Sequence, residues 1–203
     1  MKQLTKMTRE VFERGEDIDI YRREYRHYKS IVEDLFATAA ASPQHIEALR
    51  QAVRNRPQPV HATSLTEDWC GDWACNMPLL TSLLAGAKIP FRVFRGSEHE
   101  DIKEYYEKDG DDHIPAVSLW DGEGNEIVRW IEAPAKVDEM KNSWKKENPE
   151  LMELYQKKQN DKEAAKQFAL LYRRFLETMA EWYKTGMWDE TAQEIIELAR
   201  NTG

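Results

Sequence analysis

The stretch "EDWCGDWACNMP", residues 67–78, decides how this chain is read. Just before it, "VHATSL" (60–65) has the composition of a short strand. Just after it, Leu79, Leu80, Leu83 and Leu84 recur at helical spacing. Cys70 therefore stands where a strand gives way to a helix. At a helix N-terminus, unpaired backbone N–H groups and the helix dipole favour a thiolate, the reactive form of cysteine. The neighbouring carboxylates of Glu67, Asp68 and Asp72 push the other way. A second cysteine three residues on would lie about 4.5 Å along the axis, on the same face of the helix. That position holds Trp73, and Cys75 comes two residues later. Within a helix Cys75 lies about 7.5 Å along the axis from Cys70 and about 140° around it, whereas a disulfide needs Cα atoms within about 7 Å. Cys75 is thus expected in the core, a common place for a free thiol. It becomes a second reactive thiol only if the first turn unwinds.

Working outward, "FRVFR" (91–95), "AVSLW" (116–120) and "EIVRWI" (126–131) read as strands. "DIKEYYEKD" (101–109) reads as a helix, and "DGEGN" (121–125) as a hairpin turn. A strand–helix–strand unit implies a parallel pair with a right-handed crossover, and the hairpin adds an antiparallel strand. Upstream, Tyr21, Tyr25, Tyr28, Val32 and Leu35 follow helical steps and predict one long amphipathic helix packed on the domain. Ser42 caps a second helix, with Pro43 at its first position and Ile46, Leu49 and Val53 on its apolar face. Downstream, Asn160 with Glu163 has the form of a capping box. The helix it opens carries Phe168, Leu171, Phe175, Met179 and Trp182 on one face and stops at Gly186. A last helix carries Trp188, Ala192, Ile195 and Ala199.

The 37 acidic and 29 basic residues leave a net charge of −8, which argues against a general binder of nucleic-acid backbone. No stretch is apolar and long enough to span a bilayer. The first twenty residues lack the apolar core of a secretory signal. With only two cysteines, the expected setting is a reducing cytoplasm, where thiols are catalytic or inert. Cys70, Cys75, His61, His99 and His113 show no metal-ligand spacing, so no metal site is expected. No Gly-rich phosphate loop or serine elbow is present.

These residues together resemble the thioredoxin family. "DWCGDWACNMP" is similar to its Trp-Cys-Gly-Pro-Cys segment, and Pro78 falls eight residues after Cys70, as the family's helix-kinking proline does after its first cysteine. "HIPAVSLWDGEGNEIVRW" (113–130) resembles its second hallmark, a cis-proline before a strand, a hairpin and the last strand. The closest likeness is to bacterial members with Trp-Cys-Gly-Asp at this place. The resemblance covers residues 43–133 and implies an α/β thioredoxin-like domain, a mixed central sheet flanked by helices. A helical segment (1–42) and a helical extension (134–203) pack on it.

The resemblance implies that Cys70 is the nucleophile and that Ile114 and Pro115, as the cis-proline pair, lie opposite its sulfur. It also implies that Trp69, Gly71 and Asp72 shape the site. Trp73 either covers the thiol or receives a substrate, or packs in the core. Arg95, at the C-terminal end of its strand, either offsets the nearby acids and holds an anionic substrate, or forms a structural ion pair. His113 is either an acid or base at the same mouth or a solvated loop residue. Two departures count against dithiol chemistry. The family's second cysteine falls on Trp73, and its buried acid, six residues before the first cysteine, falls on Ser64. The expected activity is single-thiol disulfide exchange, without a cofactor, on a protein disulfide or a low-molecular-weight thiol. Neither nucleic acid nor membrane is an expected partner, and the oligomeric state stays open. The alternatives are a redox-inactive protein-binding module and a thiol-based redox sensor.

Overall fold

The computed structural model describes residues 4–202. Five strands, β1 (Glu16–Asp17), β2 (His61–Thr66), β3 (Phe91–Arg95), β4 (Ala116–Trp120) and β5 (Glu126–Ile131), form one sheet in the order β1-β3-β2-β4-β5. β2 and β3 run parallel, with Ala62 opposite Phe91 and Thr66 opposite Arg95. Helix α5 (Gly71–Ala87), here numbered by its place along the chain, makes the crossover between them. β4 runs antiparallel to both β2 and β5. The mixed α/β architecture read from the sequence is the one observed.

Side-chain alternation sorts the strands between two cores. Ala62, Phe91, Val93, Val117, Leu119 and Val128 join the larger core. Leu65, Phe94, Ala116 and Trp120 join the smaller one, which is closed by Met7 and by Ile102 and Tyr106 of α6 (Glu100–Glu107). The β4–β5 turn is held by Asp121, whose carboxylate accepts N–H groups from Glu123 and Asn125 at 2.9 and 2.8 Å. Its Gly124 has φ +80, and a Cβ there would meet the Met7 carbonyl at 2.7 Å, so the position requires glycine.

The amino-terminal part contains α1 (Arg9–Glu13), α2 (Ile18–Glu24), α3 (Lys29–Thr38) and α4 (Pro43–Val53). The tyrosine stripe does not form one helix. Tyr25 leaves helical geometry at ψ 127, and Tyr28 sits in the left-handed region at φ +51. The Arg26 guanidinium takes up the carbonyls of Arg23 and Tyr25 at 2.7 and 3.2 Å, which offers the chain end a partner other than a continued helix. The periodicity had recorded a common direction of burial, not a continuous backbone. β1 was not foreseen. It is two residues long and polar, and it is fixed by its partners: Glu16 binds Arg95 at 2.6 Å and Asp17 binds Arg92 at 3.2 Å.

The carboxyl-terminal part is α7 (Ala135–Glu147), α8 (Glu150–Lys157), α9 (Lys162–Trp182) and α10 (Trp188–Asn201). The cap of α9 is Asp161, one residue after the expected box, because its carboxylate accepts from both Glu163 N and Ala164 N. Gly186, at φ +132, separates α9 from α10 as expected. Phe175, Leu176, Met179, Ala192, Ile195 and Ile196 belong to the same core as Leu79, Leu80 and Leu83 of α5. Pro78 lies inside α5 and gives no N–H to the preceding turn. In that turn Trp188 donates its indole N–H to the Cys75 carbonyl at 2.9 Å. The extension thus adds a hydrogen bond to α5 as well as packing on it.

Candidate functional site

Cys70 is the N-cap of α5, in extended geometry at φ −73 and ψ 119. Its carbonyl accepts the first helical bond from Ala74 N at 3.1 Å. Its sulfur takes the place of the usual cap oxygen and accepts the Trp73 N–H at 3.4 Å. The same thiol donates to the Ile114 carbonyl at 3.4 Å. The Ile114–Pro115 bond is cis. Cys70, Ile114 and Pro115 are therefore brought together from segments 44 residues apart.

The thiol is 5 % exposed. Burial pushes its pKa up to about 12, and Asp72 adds to that rise. The N–H groups of Trp73 and Asp72 and the charge of Lys141 oppose it without prevailing. The helix terminus therefore favours the thiolate as the sequence suggested, but desolvation outweighs it. Among the three acids expected to act on the thiol, two are engaged elsewhere. Glu67 accepts from Ser97 N at 2.6 Å, and Asp68 accepts from the Tyr21 hydroxyl at 2.6 Å. Arg95 joins Asp68 at 3.1 Å and Glu16 at 2.6 Å, with its guanidinium 4.5 Å from the centre of the Tyr21 ring. Arg95 thus pairs with one of the acids beside the thiol and ties it to β1.

The cover comes from both ends of the chain. The Tyr28 hydroxyl donates to the Trp69 carbonyl at 3.3 Å, and the rings of Tyr28 and Tyr172 are 6.0 Å apart. A Cβ on Gly71 would stand 2.8 Å from the Tyr172 hydroxyl, so glycine is what lets α9 approach the site this closely. Asp72 is partly buried and bonded to Lys141 Nζ at 3.1 Å. Lys141, itself 5 % exposed, also reaches Glu132 at 2.7 Å and Asp138 at 2.8 Å. Burial raises the Asp72 carboxyl to about 6 even with that lysine beside it. Glu132 holds its place with φ +64, unusual for a residue with a side chain, while its N–H donates to the Pro115 carbonyl at 2.8 Å. Lys141 therefore links the first turn of α5 to the segment bonded to Pro115. Sequence reasoning missed it, because one lysine in a highly charged helix carries no distinguishing spacing.

The side chains of other expected site residues make no hydrogen bond to the thiol. The Trp73 side chain is fully buried against Tyr21 and Phe91, with its indole N–H on the Tyr21 hydroxyl at 3.1 Å. Only its backbone serves the thiol, and of the alternatives for its side chain the core is the place observed. Cys75 is a free, fully buried thiol inside α5. Ser64 is also fully buried, and its hydroxyl finds no partner, so no acid stands at that point of the core. Trp69 is 58 % exposed. His113 is exposed as well, with Nδ1 2.8 Å from Asp112. A cavity of about 340 Å³ opens beside Trp69 and Ile114. Among the described residues no group of three or more His, Cys, Asp or Glu side chains is placed to hold a metal, and no helix is long and apolar enough to cross a membrane.

A family model described as thioredoxin matches residues 15–145, well beyond the 43–133 covered by the motifs and as far as Lys141. The crystal structure of a protein of unknown function from Pseudomonas aeruginosa is similar over 95 % of this chain and 96 % of its own, at 14 % identity and a TM-score of 0.55. An HIV epitope scaffold is similar over 63 % of this chain and 78 % of its own, at 21 % identity and a TM-score of 0.51. At these identities the two structures speak for the fold alone. No curated protein matches the chain significantly.

Proposed function

We propose, since this chain belongs to the thioredoxin family, that it is a thiol-disulfide oxidoreductase working through Cys70 alone. The observation that carries the reading is the double hydrogen bond of the Cys70 sulfur, to Trp73 N in the first turn of α5 and to the Ile114 carbonyl beside Pro115. Cys70, as thiolate, attacks one sulfur of a partner disulfide. A new S–S bond forms, the partner bond breaks, and the second partner sulfur leaves as a thiolate that takes up a proton. An external thiol then attacks the mixed disulfide and returns Cys70 to its reduced form. Cys75 takes no part, being buried within the helix and too far along it for a disulfide.

In the resting form the thiol stays protonated under its cover. Opening the cover restores water to the sulfur and leaves the N–H donors in place, so the obstacle is removed while the stabilisation remains. A reducing cytoplasm would supply the external thiol. The burial of Cys70 favours a second reading, a binding module in which the thiol is silent.

One experiment separates the two. Reduced protein is treated with bis(2-hydroxyethyl) disulfide and mapped by peptide mass spectrometry. One mixed disulfide at Cys70, released by added free thiol and absent in Cys70→Ser, is the expected result. No adduct at Cys70, or a Cys70–Cys75 bond in its place, would overturn the single-thiol reading.

A further inference from the structure

The groove beside the thiol is charged on one side only. Trp69, next to Cys70 in the chain, and Ile114, whose carbonyl meets its sulfur, both line it. Its rim carries Glu67, Glu100, Glu107, Asp111 and Asp112, with Lys103 as the one lysine or arginine among them. Lys103 lies 3.8 and 3.4 Å from Glu100 and Glu107, and Arg129 takes up Asp111 at 2.9 Å. His113 also lines the groove, 2.8 Å from Asp112. With Lys103, Arg129 and His113 each set against one acid, two of the five carboxylates still stay uncompensated. Glu100 and Glu107 are half exposed, and Asp112 is largely exposed. Glu100 and Glu107 are seven residues apart on α6, a rise of about 10 Å. That length matches about three residues of extended chain.

We propose that the partner sulfur is presented to Cys70 on a basic polypeptide segment seated in this groove. The proposal rests on the reading of Cys70 as the reacting thiol and names the substrate class that reading leaves open. An anionic low-molecular-weight thiol would enter against the field of the rim. A single ammonium group would meet only part of a row of acids of this length. A cysteine with lysine or arginine on either side matches both the sign and the span, with Trp69 as the exposed apolar wall beside it. Charge complementarity of this kind acts chiefly on the rate of productive encounter and weakens as salt screens it.

The test uses three pentapeptides whose central cysteine is a mixed disulfide with thionitrobenzoate, flanked by lysines, serines or glutamates. Attack by Cys70 on the peptide sulfur forms the Cys70–peptide bond and releases thionitrobenzoate, read by absorbance and by the mass of the adduct. The lysine peptide is expected to react at least about tenfold faster than the glutamate peptide at low ionic strength, with serine between them. Half-molar salt should shrink that gap, and Glu100→Lys with Glu107→Lys should reverse the order. Equal rates for the three peptides, or an order that ignores the double variant, would overturn the basic-segment proposal and leave the thiol chemistry standing. No adduct at Cys70 with any peptide would instead overturn the reading on which it rests.

Discussion

The two flanks of Cys70 are built to different rules. On one flank lie Trp69, His113 and the acidic rim, exposed to solvent and drawn from loops and α6. On the other lie Gly71 and Lys141, buried, and Asp72 and Tyr172, partly buried, drawn from the first turn of α5 and the extension. The open flank can meet a partner without moving anything. The closed flank adds Asp72 and Lys141, whose charges act on the sulfur in opposite senses, to the burial that raises the Cys70 pKa. Access and reactivity are thus set by different parts of the chain, and substitutions should separate them.

The largest effect is expected from Lys141→Met. It leaves Asp72 and Glu132 without their shared cation, and removal of one partner from a buried ion cluster costs about 3 kcal/mol. Denaturant unfolding checks this, and a loss under about 1 kcal/mol would show that the cluster does not hold the extension down. Next comes Tyr172→Ala, which opens the closed flank over Gly71. Alkylation of Cys70 at pH 8 should quicken by roughly tenfold for each pKa unit of burial relieved, whereas Tyr172→Phe should keep the cover. An unchanged rate in the alanine variant would place the barrier elsewhere.

Asp72→Asn should act more mildly. The carboxyl, raised to about 6, becomes charged as pH passes that value and from there upward opposes a thiolate at Cys70. Without that charge the alkylation midpoint of Cys70 should move to lower pH, by about threefold in rate at pH 8. A midpoint moving upward would mean that the carboxylate serves the thiol as a base. The smallest effect belongs to the open flank. Trp69→Ala should change stability by less than about 0.5 kcal/mol, as an exposed substitution does. A larger loss would mean that the open flank too is part of the framework.

The sheet was legible in the sequence because β2 to β4 alternate between two filled cores, and alternation is what a strand pattern records. Cys70, Ile114 and Pro115 could be placed because each is tied to a local motif. The break at Tyr25–Tyr28 was hidden, since burial continues in the same direction across it. The cover of the thiol was hidden for another reason. Tyr172 lies about a hundred residues from Cys70, in an aromatic stripe whose period reports only that one face is buried. Lys141 carries no period at all. Electrostatics read from neighbours in the chain therefore counted Glu67 and Asp68 against the thiol, although both bind elsewhere, and left out burial, the largest effect.

The most direct test of the shielded single thiol is the pH dependence of iodoacetamide labelling of the reduced protein, with mass spectrometry separating Cys70 from Cys75. The expected result is a Cys70 midpoint well above that of a free cysteine, about 8.5, with Cys75 unlabelled until the protein unfolds. A Cys70 midpoint below that of a free cysteine would contradict the shielding, and labelling of Cys75 in step with Cys70 would contradict the single thiol.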